Sequence, residues 1–144
     1  MFKTKSKMFY PESNRSRRWS KLTEMMKEWV GSRENPTVYN NSLRGYINVN
    51  RISIRETPYW GSGRAESTEM IMNHFTEILR YAVKKEVSEP HSRSGGGFSQ
   101  MVILERRIEG KGTAKLTVGV RPDGQLVQYC ITASTNLTGK GGAA

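Results

Sequence analysis

Apolar positions recur along this chain with two periods, one near 3.6 residues and one of 2, and the switches between them mark out its elements. Trp19, Leu22, Met26, Trp29 and Val30 fall at helical spacing, while Arg17, Arg18, Lys21, Glu24 and Glu28 fall largely elsewhere. This pattern predicts a first helix that stops at Gly31. After the turn-rich SRENP stretch, VYNNSLRGYINVNRISIRE alternates in short pieces. Ile47 and Val49 share one face, Ile52 and Ile54 another, and the phase slips near Asn50 and Arg51. The expectation here is a hairpin or a bulged strand, with Arg51, Ser53 and Arg55 turned away from the apolar row. PYWGSGR then reads as a Pro/Gly loop presenting Tyr59 and Trp60.

From Glu66 to Lys85 the helical period returns. Ile71, Phe75, Ile78, Leu79 and Ala82 form its apolar stripe, Ser67 is its cap, and Lys84 and Lys85 suit the negative end of its dipole. EPHSRSGGGFSQ is a loop. Beyond it, period 2 takes over. Val102, Leu104 and Ile108 begin a meander, and EGKG turns it. Ala114, Leu116, Val118 and Val120 alternate with Thr113, Lys115, Thr117, Gly119 and Arg121. The run Pro122-Asp123-Gly124 makes the next turn, and Val127, Tyr129, Ile131 and Ala133 complete a third strand.

The order of elements predicts an α+β fold: two main helices packed on one face of a mostly antiparallel sheet that ends in a three-stranded meander. Residues 1–14, with Pro11 and a polar PESN run, read as a basic flexible arm, residues 15–134 as a single α+β domain, and residues 135–144 as a flexible tail. The other sheet face then carries Lys115, Thr117, Arg121, Gln128 and Thr132.

Charge turns this outline toward function. Twenty-three Lys and Arg oppose thirteen Asp and Glu, for a net charge of +10 over 144 residues. Lys3, Lys5, Lys7, Arg15, Arg17, Arg18 and Lys21 crowd the front of the chain against Glu12 alone. Such a surplus points to a polyanion, because cations that neutralise phosphates release condensed counterions. One cysteine, Cys130, excludes an internal disulfide framework. With only His74 and His91 beside it, a Cys/His zinc site is out of reach, and no carboxylate cluster suggests magnesium, so no metal and no cofactor is expected. The basic N-terminus lacks the apolar core of a secretory signal, and no run is long enough for a membrane helix. A cytoplasmic protein with no membrane partner is the expectation.

The leading reading is a nucleic-acid-binding protein, with RNA or another single strand favoured over duplex DNA, since no helix-turn-helix, zinc finger or basic zipper is visible. Its contact residues are Lys3, Lys5, Lys7, Arg15, Arg17 and Arg18 at the front, Arg51, Arg55, Lys115 and Arg121 in the body, and Tyr59 and Trp60 for stacking on bases.

An alternative is a metal-independent endoribonuclease. At about 100° per residue, His74, Ile78, Tyr81 and Lys85 line up along one flank of the second helix's apolar stripe. His74 and His91 would act as acid and base, with Lys85 or Arg93 steadying the phosphorane. The order of helices followed by a meander is similar to the layout of small toxin-type ribonucleases, a resemblance of architecture that implies such chemistry. The loop SRSGGGF lacks the GK[ST] ending and the following helix of a phosphate-binding loop, so its glycines read as slack. A third reading is a phage or mobile-element interaction protein that covers an acidic protein surface. Oligomeric state is open.

Overall fold

A computed structural model describes residues 11–90 and 97–135, and within them the chain forms four helices and one six-stranded sheet. Helix α1 (Pro11–Gly31) is followed by strands β1 (Thr37–Asn40) and β2 (Gly45–Asn48). Helices α2 (Arg51–Gly61), α3 (Ala65–Asn73) and α4 (Phe75–Tyr81) come next, then strands β3 (Val83–Ser88), β4 (Gln100–Ile108), β5 (Gly112–Val120) and β6 (Leu126–Ser134). The strand order is β1-β2-β6-β5-β4-β3, antiparallel except where β2 meets β6. The fold is therefore α+β, and β4-β5-β6 is the expected three-stranded meander. No helix among the described residues is long and apolar enough to cross a membrane.

The main core forms where one set of strand side chains meets the helices. Val102, Leu104, Ile108, Ala114, Leu116, Val118 and Ile131 pack with Leu22, Met26 and Trp29 of α1, Ile71 of α3, and Phe75, Ile78 and Leu79 of α4. Helix α4 touches β1 as well as β4 and β5, so the sheet curls around it. Asn40, buried at the end of β1, ties this curl by donating from Nδ2 to the Leu79 and Ala82 carbonyls at the far end of α4. Those carbonyls have no partner within their own helix, and the asparagine supplies one.

Successive residues of a strand point to opposite faces, and the second face is not bare. Phe98, Met101, Val127, Tyr129 and Cys130 form a smaller cluster there, with Ile52 of α2 packed against it. A Cβ on Gly119 would stand 2.7 Å from the Phe98 ring, so the ring fits only because position 119 has no side chain. A register shift between Thr117 and Val118 lets β6 carry one extra residue, and Tyr129 joins this second cluster rather than lining up with Ile131 and Ala133. Gln128, expected on an open face, is fully buried and donates to Thr57 Oγ1 at 2.8 Å.

Three boundaries differ from the sequence reading, each for a physical reason. Residues 51–61 are a helix, not a strand and a Pro/Gly loop. Asn50 and Ser53 form a reciprocal capping box, which nucleates the first turn. The buried positions of α2 are Ser53, Glu56, Thr57, Pro58 and Gly61, so no apolar stripe announces it. The stretch from Glu66 to Lys85 is divided into α3 and α4 by a break at His74 (φ −128, ψ 24), and Lys84 and Lys85 lie on edge strand β3. Every residue of β3 is exposed, which removes the alternation that would have marked it. Helix α1 begins at Pro11, inside the stretch read as an arm, and so places Arg15, Arg17 and Arg18 on a helix. Leu22, Met26 and Trp29 anchor this helix in the main core.

Candidate nucleic-acid interface

Helix α2 is held by its inner side and open on its outer side. Strand β2 pairs with β6 only at Leu126 and Val127, and beyond that point α2 and α3 replace a neighbouring strand. Ser53 Oγ donates to the Gln128 carbonyl and Ser67 Oγ to the Ala133 carbonyl, while Gly61 brings the helix backbone close to Ile131 O. An uncovered strand edge is a row of unsatisfied polar groups, and these small residues let the helices cover it. The opposite side of α2 carries Arg51, Arg55 and Tyr59 at intervals of one turn, all exposed.

At the N-terminal end of this stripe, Arg51 and Arg55 face Arg121 across a cleft of about 500 Å³, completed by Asn50 and Ile52. Arg121 comes from the end of β5, where the turn Pro122-Asp123-Gly124 begins. Its backbone closes that turn through Arg121 N–H to Gln125 O and Gly124 N–H to Arg121 O. Its guanidinium lies 5.7 Å from the Phe98 ring, and its Nε is buried without an acceptor among the described residues. Arg55 is oriented by its Nε bond to Glu56 at 2.9 Å, and Glu56 also accepts from Trp60 Nε1 at 3.1 Å. Glu56 is fully buried behind the stripe and does not line the cleft.

At the C-terminal end, Tyr59 stands edge-on to Trp19 (5.8 Å) and to Trp60 (5.1 Å). Each of the three is more than a third exposed. Trp19, expected in the apolar stripe of α1, is thus a surface residue. Arg15 donates to the Tyr59 carbonyl at 3.0 Å, and Arg18 donates to the Ser62 and Gly63 carbonyls at 2.9 Å each. These cations satisfy carbonyls that the end of α2 leaves unpaired and suit its negative pole. They also place α1 charge beside the aromatic group. Arg17 is turned back on its own helix and donates to Asn14 Oδ1.

The remaining expected contacts are not part of this surface. Lys115 does not line the cleft; it lies elsewhere on β5, paired in register with Glu105. Lys3, Lys5 and Lys7 lie outside the described residues, as do His91 and Arg93 of the ribonuclease reading. His74 is held elsewhere: its Nδ1–H donates to Glu77 Oε1 at 2.9 Å, and Arg106 donates twice to Glu77 Oε2, at 3.0 and 2.8 Å. The His74 bond and the Arg106 guanidinium hold the Glu77 carboxyl below its ordinary value against the opposing effect of burial. His74 borders a separate cavity with Met25, Glu28, Trp29 and Phe75, and Lys85 stands on β3 rather than on the same helix. Burial pushes the Cys130 thiol up to about 12, which leaves it protonated and unreactive at neutral pH.

Sequence reasoning missed Glu56, the Trp19–Tyr59 contact, and the Glu77–Arg106 pair. One signal was present for the first: read with period 3.6, Arg51, Arg55 and Tyr59 fall on one line and Glu56 falls with Trp60 beside it, whereas the Trp19–Tyr59 contact is set by tertiary packing. Arg106 sits mid-strand among apolar positions, and nothing in the sequence marks Glu77 as its partner. No protein-family model, curated protein or solved structure matches this chain.

Proposed function

We propose that the protein binds single-stranded nucleic acid, RNA foremost, along the outer side of α2. The observation that supports this is one surface joining a three-arginine cleft to an exposed aromatic group, with Arg51 and Arg55 leading to Tyr59 and with Arg15 beside it. Arginines that follow a backbone supply affinity without reading sequence, and partly exposed aromatic rings offer faces to unpaired bases. Duplex grooves are a poorer match, because paired bases cannot reach the rings and α2 is pinned along β6 rather than projecting from the body.

The test is fluorescence anisotropy of a labelled single-stranded RNA across a salt series. Affinity should fall steeply with salt, and each arginine replaced among Arg51, Arg55 and Arg121 should reduce the log–log slope by roughly 0.7. Binding that ignores salt, or no binding to RNA or single-stranded DNA, would overturn the proposal and return the basic surface to the reading in which its partner is an acidic protein.

A further inference from the structure

We infer that the cleft between Arg51, Arg55 and Arg121 takes a terminal phosphate, so that the protein recognises the phosphorylated end of a strand. This rests on the proposed single-strand binding and goes beyond it by assigning the cleft a phosphomonoester rather than a link in the middle of the chain.

The charge of the cleft suits a monoester. Three guanidinium groups border one cleft, and among the described residues no carboxylate lines it, the Glu56 partner of Arg55 lying buried behind. An internal phosphodiester brings one negative charge and two free oxygens, which a single forked arginine satisfies. A phosphomonoester brings about −1.5 to −2 at neutral pH and three strong acceptor oxygens, enough to engage all three side chains.

The cleft is also preorganised. Arg55 is oriented from behind by buried Glu56, and Arg121 is held by the β5–β6 turn and the Phe98 ring. Two of the three cations are thus placed before the anion arrives, which lowers the ordering cost of binding. The helix terminus contributes little directly, because Asn50 and Ser53 already occupy its first amide groups.

The helix gives the surface a direction. From the cleft, Arg51, Arg55 and Tyr59 succeed one another at steps of about 6 Å along the helix. A strand whose end sits against Arg121 therefore runs over Arg55 and brings its next bases to Tyr59 and Trp19.

The experiment compares one short oligouridine carrying a 5′-phosphate, a 3′-phosphate or hydroxyls at both ends, each labelled away from the varied end. One phosphorylated form should bind roughly tenfold tighter than the hydroxyl form, the gain expected of added charge-assisted hydrogen bonds. The advantage should shrink between about pH 7.5 and about pH 5.5, as the monoester takes up its second proton near pH 6, while the hydroxyl oligonucleotide is unaffected. Arg51→Gln and Arg121→Gln should each remove the end preference; Arg51 is exposed, so its loss leaves the fold intact. Equal binding of all three oligonucleotides, weakened equally by these substitutions, overturns end recognition and leaves strand binding standing. Failure of all three to bind overturns the underlying proposal as well.

Discussion

The Ser53 hydroxyl donates to the carbonyl of Gln128 and accepts from the backbone N–H of Asn50, so one side chain both caps α2 and fastens it to the edge of β6. Cap and clamp are the same atom. This explains how a helix without an apolar stripe is kept against the sheet with its arginines facing out. Ser53→Ala leaves two backbone groups without their partner in a buried place, and should destabilise the protein by about 1–3 kcal/mol. Urea denaturation followed by circular dichroism measures this; an unchanged midpoint would show that the edge of β6 is covered some other way.

Phe98 links the sheet to the arginine cleft. Its ring packs against Gly119 on one strand, lies edge-on to Tyr129 at 6.2 Å, and carries Arg121 above it. Gly119→Ala forces the ring aside and should cost about 1–3 kcal/mol by overpacking. Because Arg121 rests on that ring, the proposed RNA affinity should fall as well, although Gly119 does not itself line the cleft. Phe98→Leu in the same chain should recover much of the stability without recovering affinity. Full recovery of both would separate Arg121 from Phe98.

How much of this was legible follows from what each element buries. Strand β5 buries Ala114, Leu116 and Val118 against helices, and its alternation reads directly as a strand. Helix α1 buries Leu22, Met26 and Trp29 in the same way and reads as a helix. Helix α2 buries serine, threonine, glutamate and glycine because its neighbour is a strand edge, which asks for hydrogen bonds and close approach rather than apolar area. Ile52 and Ile54 then appear to alternate because they flank that polar contact, one toward each core. The same cause hid the candidate site. Arg51, Arg55, Tyr59 and Arg121 were each singled out from sequence, but only the helical period places the first three in line, and only tertiary structure brings Arg121 to them.

The Glu77 carboxylate predicts a dependence of stability on pH. Its folded-state value is lowered from about 4.5, first by the hydrogen bond from His74 and then by Arg106, with burial opposing. A lowered carboxylate contributes stability that is fully present above its unfolded value and is lost as pH falls through its folded value. Glu77→Gln should therefore melt below the parent protein near neutral pH, and the gap should close as the buffer is acidified through and below the ordinary carboxylate range. Calorimetry at several pH values reads both melting temperatures. A gap that persists unchanged at acid pH would mean that Glu77 acts through packing alone. The RNA binding proposed above, assigned to a different surface, should be unaffected by this substitution at neutral pH.

Tyr59 and Trp19 separate stacking from charge. If bases lie against these rings, Tyr59→Ala should weaken binding by about 1–3 kcal/mol, the range for loss of one base–aromatic contact, while leaving the salt slope unchanged. Arg55→Gln should do the reverse, flattening the slope by roughly 0.7. The two substitutions lie one turn apart on the same helix face, so a general disturbance of α2 would affect both readouts together. Tryptophan emission gives an independent signal, because Trp19 and Trp60 are partly exposed while Trp29 is buried. Titration with a single-stranded oligonucleotide should quench the exposed pair, and Trp19→Phe should reduce the quenching in proportion. Quenching without any change on substitution of Trp19 or Trp60 would place the strand away from Tyr59 and confine nucleic-acid contact to the arginine cleft.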